Sequence, residues 1–455
     1  MLRSIVVTLL LVAAASGPAG AAPLTADQAV KIALQHNTQA LSAEASVLDA
    51  QSGVWSAYSS VLPNVTGSYT MSHSSTDPSK DRFTQYFGPT PVTYQQISSR
   101  STSTSPTLAG RWNVLNLSSI SSLSAARNSS RAAQLSRSAT RNDVALLVKQ
   151  RFYEVVRAIH LADVSSQSLK LARDNERRVR ALYEVGSVSK SDLLKAKVTS
   201  GQSQVDSLVT DHNVTNTRIL LSEALGMSEN ELGEIDTTLS ANYRSYDEAA
   251  VMLEAKSARP DIKAAEAEAK SAEMTIAAAR WARMPYVSAS ASATFKPKTE
   301  SRSETEYFDT LGNSLGTRSQ NTTSKANAQY NASIALNWDL FDLGNDARAA
   351  SAKARMIRSR ETRDALIRNL QSEVHQAMLG HQEAVEREGL ARQTLESATE
   401  NLNLVQQKYN VGSSTILDLI DSQVQFQRAK SDLVSALASI RVAEATLERV
   451  RGKGE

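Results

Sequence analysis

The residues most able to do chemistry form no recognisable catalytic or metal-binding motif in this sequence. There is no cysteine, which excludes disulfides, a thiol nucleophile and a thiolate metal site. No His-Glu-x-x-His pair, Gly-x-x-x-x-Gly-Lys phosphate loop or Gly-x-Ser-x-Gly elbow occurs. The six histidines are scattered: His36, His73, His160, His212, His375 and His381. We therefore expect no catalytic residue, no cofactor and no bound metal, and we do not expect an enzyme.

The charge balance gives no sign of a nucleic-acid partner. The chain of 455 residues carries 50 basic and 47 acidic side chains, a net charge of +3, whereas a nucleic-acid surface normally shows a clear basic excess. Many carboxylates have the spacing of exposed helix faces, which is more typical of solvated surface than of acid–base pairs. The function must therefore be sought in the architecture that these residues belong to.

The first 22 residues are typical of a secretory signal peptide. Arg3 supplies the positive start, residues 5–15 the apolar core, and Ala19-Gly20-Ala21 the cleavage site, so we expect cleavage after Ala21 or Ala22. The apolar run is shorter than the ~20 residues of a spanning helix, which makes an uncleaved anchor the weaker alternative. No later segment has ~18 uninterrupted apolar residues. The exported protein is therefore expected to be soluble or a β-barrel.

The sequence contains an internal duplication. Tyr183-Glu184-Val185-Gly186 recurs as Tyr409-Asn410-Val411-Gly412, 226 residues later, and each copy is followed by a serine-rich turn and Asp-Leu. The segment that begins at Trp112 recurs at Trp338 with the same spacing. We predict a signal peptide at 1–22, a first repeat at 23–226 and a second repeat at 227–455.

Each half is predicted to contain one very long helix and two shorter ones. The first half has helical stretches at 26–61 and at 119–184. After a break at Val185-Gly186, a third helix runs to about Leu225, where Gly226 can supply the C-terminal cap. The second half repeats them at 246–284, 345–410 and 415–451. A helix of ~66 residues is ~100 Å long, too long for one globular domain, so we expect the two shorter helices to lie end to end beside it. Helices that break and fold back are the alternative.

Four segments alternate between apolar and polar side chains with the period of a β-strand. They lie at about residues 64–72, 107–114, 287–295 and 331–340. Each has ~8–11 residues, the length of a tilted membrane strand. The same alternation would fit a soluble sandwich with one buried face.

Two features favour the membrane over the sandwich. The links between paired strands, at 73–103 and 296–329, are long and polar, as expected for extracellular loops. All four tryptophans, Trp55, Trp112, Trp281 and Trp338, fall near the strand–helix junctions, where aromatic rings suit a membrane interface.

Four strands are too few to close a membrane barrel, because known spanning barrels have eight or more. An open edge in lipid would leave backbone donors and acceptors unpaired at several kcal/mol each. The chain is therefore expected to oligomerise. Two copies would give eight strands and three would give twelve, and the residues leave both possibilities open.

The repeated order of elements, the paired Tyr-x-Val-Gly motifs followed by Asp-Leu, and Leu-Phe-Asp-Leu-Gly at 340–344 resemble the TolC outer-membrane efflux protein family. The resemblance covers nearly all of the mature chain. It implies a mainly α fold with membrane β: a homotrimer with a twelve-stranded β-barrel in the outer membrane, continued by a long α-helical tunnel in the periplasm. It also implies the exit duct of a tripartite efflux or type I secretion system. The implied partners are a periplasmic adaptor, an inner-membrane pump or ABC exporter, and outer-membrane lipid.

The resemblance also implies roles for residues at the periplasmic tip. The turns at Val185, Gly186, Val411 and Gly412 would close the tunnel and dock the adaptor, and Asp192 and Tyr409 would form an aperture latch. Asp418 and Asp421 match the family's constriction aspartates, and their i, i+3 spacing puts both on one helix face. Plain alternatives are helix capping for the glycines and a favourable helix-dipole charge for Asp192 and Asp418.

One departure from the pattern affects the latch. TolC itself has an arginine two residues beyond the second glycine, where this chain has Ser414. The latch is therefore expected to be weaker or built differently.

Two other functions remain open from the sequence. A periplasmic adaptor also has long helices, but in a single hairpin between compact β domains rather than in two equal halves. A secreted coiled-coil interaction protein without a pore would not need four membrane-length strands.

Overall fold

A computed structural model describes residues 23–78, 81–87, 90–239 and 245–453. The predicted signal peptide, residues 1–22, therefore lies outside the described residues. No helix within the described ranges is both long and apolar enough to cross a membrane.

The chain forms two compact units, and the long helices contribute to both. One unit contains Met1–Leu48, Arg131–Glu266 and Glu361–Glu455, and the other contains Asp49–Ser130 and Ala267–Arg360. The first unit is helical and the second contains the whole described sheet.

The helices occur in the same order in both halves, which confirms the predicted duplication. The first half contains α1 (Ala26–His36), α2 (Thr38–Ser59), α3 (Leu117–Glu184) and α4 (Lys190–Leu225). The second half contains α5 (Glu248–Ala258), α6 (Pro260–Trp281), α7 (Leu343–Asn410) and α8 (Ile416–Val450). Helices α3 and α7 have 68 residues each, so each is ~100 Å long.

The prediction of one continuous helix at 26–61, and of another at 246–284, is wrong. Asn37 has an extended backbone and separates α1 from α2. Its side chain accepts a hydrogen bond from the N–H of Gln39 (2.8 Å) and donates one to the carbonyl of Ala224 (2.8 Å), and asparagine favours such caps over helix interiors. In the second half Arg259 is extended and precedes Pro260, and a residue before proline avoids the helical region.

Two helices, α4 and α8, end at glycines that lie close to the breaks at Asn37 and Arg259. Gly226 ends α4 with φ +72°, which confirms the predicted cap, and Gly452 follows α8 with φ +76°. A Cβ atom on Gly226 would lie 2.5 Å from the carbonyl oxygen of His36, and one on Gly452 would lie 3.0 Å from the nitrogen of Arg259. Both positions therefore need glycine for conformation and for space.

The two halves stabilise this corresponding region with different chemistry. In the first half, α1, α3 and α4 enclose an apolar cluster whose fully buried members include Val144, Val148, Val155, Val156, Leu221 and Leu225. In the second half, a smaller apolar cluster on α5, α6, α7 and α8 is joined by ion pairs. Buried Arg259 pairs with Asp261 (2.6 Å) and with Glu373.

Further ion pairs extend this network around the end of α8. Arg449 pairs with Glu373 and with Asp143, the latter at 2.9 Å. Glu254 accepts from Arg451 (2.6 Å) and Lys453 (3.1 Å), and these hydrogen bonds lower the pKa of Glu254 to about 2. Ionised carboxylates, including Asp143 of the first half, therefore add to the apolar packing around the end of α8.

Seven strands form one antiparallel sheet in the described part of the chain. They are β1 (Asn64–Thr76), β2 (Phe83–Phe87), β3 (Thr90–Leu115), β4 (Tyr286–Lys296), β5 (Thr299–Phe308), β6 (Ser314–Ser324) and β7 (Asn327–Asn337). β3 pairs with β1 and β2 along one side and with β4 and β5 along the other, and β7 and β6 pair with β4 and β5.

The prediction that the polar links at 73–103 and 296–329 are loops is therefore wrong, because most of their residues form strands. β3 alone has 26 residues, and the ranges 73–103 and 296–329 mostly continue the four predicted strands into longer ones. Threonine-rich segments favour extended structure, and cross-strand hydroxyl pairs stabilise it. Such pairs join Ser72 to Ser103 (2.7 Å) and Thr84 to Thr93 (3.0 Å).

Part of one face of the sheet is apolar, and its large side chains on β1 and β7 are exposed. Ile334 and Leu336 on β7 are 80% and 70% exposed, and Val65 on β1 is 68% exposed. Within this apolar band, Phe295 packs edge-on against Tyr330 with ring centroids 6.5 Å apart. Exposed apolar surface of this kind marks contact with lipid or another chain, which disfavours the sandwich alternative.

Candidate functional site: the helical tip

The two predicted tip turns have the same backbone geometry. Gly186 and Gly412 both have φ +77°. The N–H of Gly186 donates to the carbonyl of Tyr183 (2.9 Å) and that of Ser187 to Leu182 (2.8 Å). This is a Schellman motif, in which a left-handed glycine satisfies the last carbonyls of a helix. Gly412 repeats it, so the capping role of both glycines is real.

An apolar cluster joins the two turns. Its buried members are Val179 on α3, Ala196 on α4, and Ile416 and Leu419 on α8. Helix α7 contributes partly buried Leu402, Val405 and Tyr409. The tip is therefore one packed body, built from both halves of the chain.

Asp418 lies at the start of α8 and caps it. Its carboxylate accepts hydrogen bonds from the N–H of Thr415 (2.8 Å) and the hydroxyls of Thr415 (2.7 Å) and Ser414 (3.0 Å). These donors, the backbone N–H first, hold the pKa of Asp418 below its ordinary value. The carboxyl is fully exposed and ionised, so it stabilises the helix start and also presents a negative charge to solvent.

Ser414 thus has a defined contact at the position where the sequence departs from TolC. Its hydroxyl donates a hydrogen bond to the Asp418 carboxylate. Sequence reasoning did not identify the Thr415-x-x-Asp418 capping box, although threonine followed by an acid three residues later is its signature.

Asp421 lies one turn further along α8 and is also exposed. Its carboxylate accepts from the amide of Gln425 at 2.7 Å. The structure therefore places both predicted aperture carboxylates on the exposed side of α8, within its first two turns.

Asp192 and Tyr409 are close enough to interact electrostatically. Burial, followed by the negative charge of Asp192, raises the pKa of the Tyr409 phenol, while Arg178 lowers it. The Asp192 carboxylate itself accepts from the Ser189 hydroxyl (2.7 Å) and pairs with Lys195 (3.7 Å), and the Ser189 hydrogen bond lowers its pKa. A latch between Asp192 and Tyr409 stays a prediction.

A second polar link at the tip was missed by sequence reasoning. The guanidinium of Arg178 on α3 donates to the side-chain oxygen of Asn410 on α7 at 3.2 Å. Asn410 belongs to the second Tyr-x-Val-Gly motif, where the first copy has Glu184. This difference between the two copies of the motif was the only feature of the sequence that pointed to a special role for Asn410.

Val185 and Val411 are the most exposed apolar residues of the turns, at 74% and 79%. Exposed apolar side chains of this kind suit contact with another protein. The docking role of these two valines stays a prediction.

The four tryptophans lie in the unit that contains the sheet. Trp112 on β3 donates its indole N–H to the carbonyl of Val61 (2.9 Å), and Trp338, just after β7, donates to Arg283 (3.2 Å). All four rings, including Trp55 and Trp281, are exposed. Each of the two bonded indoles has a polar partner and an exposed apolar face, the combination that suits a membrane interface.

The comparisons with known proteins agree with this arrangement. The model of a family described as outer membrane efflux protein matches residues 29–227 and 251–453. No curated protein sequence matches the chain at a significant level.

Solved structures of bacterial channels share the fold. The chain is similar to the VceC outer membrane protein of Vibrio cholerae, with TM-score 0.74 and 17% identity over 94% of this chain and 96% of that one. It is similar to the CmeC outer membrane channel of Campylobacter jejuni, with TM-score 0.74 and 15% identity over 94% and 86%. The MtrE channel of Neisseria gonorrhoeae gives TM-score 0.69 and 18% identity over 94% and 89%. The chain belongs to the outer membrane efflux protein family.

Proposed function

We propose that this outer-membrane efflux channel works as a homotrimer in which three copies of the sheet close one barrel, and that it is the exit duct of a tripartite system. The observation that carries the proposal is the open sheet. In the described residues β1 pairs only with β3, and β7 only with β4, so both edges of the apolar part have free backbone groups. Lipid cannot satisfy those groups, whereas the edge of another copy can.

The proposed partners follow from the tip. Exposed Val185 and Val411 offer two apolar contacts per copy for a periplasmic adaptor, which would connect the duct to an inner-membrane pump or ABC exporter. We further propose that Asp418 and Asp421 of three copies form a ring of carboxylates at a narrow opening. Such a ring favours cations.

Oligomer formation tests the proposal most directly. We expect the mature protein, purified in detergent, to have the mass of a trimer by light scattering. On an unheated gel it should run as a trimer of higher apparent mass, which heating converts to the monomer. The physical reason is that four membrane strands cannot pair both of their edges within a single copy. A well-folded monomer with the expected helicity would refute the barrel.

The position of the two ends can be tested because the chain has no cysteine. We expect Leu311→Cys, in the turn between β5 and β6, to react with a membrane-impermeant maleimide on intact cells. The matched variant Val411→Cys should react only after the outer membrane is permeabilised. The two side chains are similarly exposed, at 86% and 79%, so intrinsic accessibility does not explain a difference. Labelling of Val411→Cys on intact cells would reverse the orientation.

A further inference from the structure

Just beyond the apolar band, basic side chains lie opposite one another on neighbouring strands. Arg100 on β3 is the direct partner of Arg302 on β5 in the antiparallel register. Side chains directly opposite in an antiparallel pair are ~5 Å apart at their Cβ atoms, and like charges there are destabilising.

A second basic pair lies in the short breaks that separate β4 from β5 and β6 from β7. The register pairs Lys296 with Asn327 and Thr299 with Ser324. Residues 297 and 298 lie between these pairs on one side, and residues 325 and 326 on the other. The same register therefore places Lys298 opposite Lys325. The structure thus brings together two like-charge pairs where opposite charges would be expected.

Both pairs lie on the same face of the sheet as the apolar band. Residues 99–111 of β3 pair with β1 without a register shift, so Arg100 and Leu108, eight residues apart, point to the same side. Arg302 shares that side because it is opposite Arg100. Lys298 donates to Glu300 (3.2 Å) and Arg302 to Glu304 (2.9 Å), which keeps these alternate residues together.

The glutamates neutralise only one member of each pair. In the described ranges neither Arg100 nor Lys325 forms an ion pair with a carboxylate, and both are exposed. Two unneutralised cations therefore remain on a face that already contains Lys298 and Arg302. An anion bound there would relieve the repulsion.

The location indicates which anion. Phe295, paired with Tyr330, is three residues from Lys298, or ~10 Å along a strand. A lipid whose acyl chains cover the apolar band would place its headgroup at the level of these cations. Guanidinium and ammonium groups are the usual ligands of phosphate.

We propose that the Lys298–Lys325 pair and the Arg100–Arg302 pair, which lie four residues or ~13 Å apart along the strand direction, bind phosphate groups of lipid in the outer leaflet of the membrane. The inference rests on the outer-membrane placement of the sheet. It assigns these side chains a ligand that neither the tip nor the barrel closure requires.

Lipid binding by purified protein in detergent tests the proposal, with native mass spectrometry as the readout. Diphosphoryl lipid A is the probe, and the same glycolipid without phosphate is the comparison. We expect wild type to bind the phosphorylated form, and Arg100→Gln with Lys325→Gln to bind it at least about tenfold more weakly, as the loss of charge-assisted hydrogen bonds predicts. Arg318→Gln is the matched control, because Arg318 is exposed, lies opposite Thr305 and points to the other face.

Three results would overturn the proposal. They are equal binding of both glycolipids by wild type, equal binding by wild type and the double variant, and displacement of the lipid by inorganic phosphate at comparable concentration. The same samples are run unheated on gels. Loss of the trimer from wild type would refute the proposed function, whereas unchanged trimers with unchanged lipid binding in the double variant would refute only this site.

Discussion

Gly226→Ala is expected to lower the free energy of unfolding by about 2–4 kcal/mol, as the sum of a left-handed backbone strain of ~1–2 kcal/mol and the overpacking of a close contact. The added Cβ would lie 2.5 Å from the carbonyl oxygen of His36 and 2.7 Å from its carbon. Both are backbone atoms, so no side-chain rotation can relieve the contact. Denaturant unfolding of the detergent-solubilised protein, followed by circular dichroism, measures the change.

Gly186→Ala separates the two causes. Gly186 has nearly the same φ, +77°, ends a helix with the same Schellman motif, and has no atom within 4 Å of an added Cβ. It should therefore show only the conformational cost. Equal losses from the two variants would contradict the close packing of α4 against the α1–α2 break.

Asp418→Asn combined with Asp421→Asn is expected to reduce the cation preference of the channel in planar bilayers by about tenfold, the low end of what a focused charge cluster gives. Three copies would lose six carboxylates from one opening. Block by multivalent cations should weaken in parallel. Asparagine keeps an oxygen that can accept from Thr415, so the start of α8 should remain folded.

Glu383→Gln is the control for charge in general. Glu383 is an exposed residue of α7 that pairs with Arg387 at 3.0 Å, and an exposed charge is screened beyond ~8–10 Å at physiological salt. It should change ion selectivity little. Equal effects from the control and the double variant would show that the constriction lies elsewhere.

The pKa of Asp418 gives this prediction a pH dependence. Because its folded pKa is lowered, its capping contribution is fully present above the unfolded value and is lost as pH falls through the folded value. The contribution of Asp418 to the cation preference should therefore persist through mildly acidic pH and decline only below the ordinary range of aspartate.

Periodic features were predictable from the sequence, and features set by distant contacts were not. The 68-residue helices and the apolar strands have long, regular patterns, and Val185-Gly186 and Val411-Gly412 mark real turns. The break at Asn37 depends on its bond to Ala224, which no local pattern reveals. The polar strands escaped prediction because serine and threonine on both faces leave no alternation to detect.

The same limit applies at the tip. The exposed aspartates could be placed from spacing and family resemblance, whereas the hydrogen bond between Arg178 and Asn410 joins residues 232 positions apart. Ser414 could be recognised as a departure, but its bond to Asp418 required the folded turn. The sequence predicted which residues lie near the two turns, and the structure showed the hydrogen bonds that these residues form.

The unequal chemistry of the two halves has a consequence for environmental stress. Apolar packing around Val148 and Leu221 weakens on cooling, whereas ion pairs such as Arg259–Asp261 weaken when acid protonates their carboxylates. Cold should therefore weaken the apolar cluster of the first half, and acid should weaken the ion-pair network around the end of α8. Because the two regions respond to different conditions, neither stress alone should destabilise both of them.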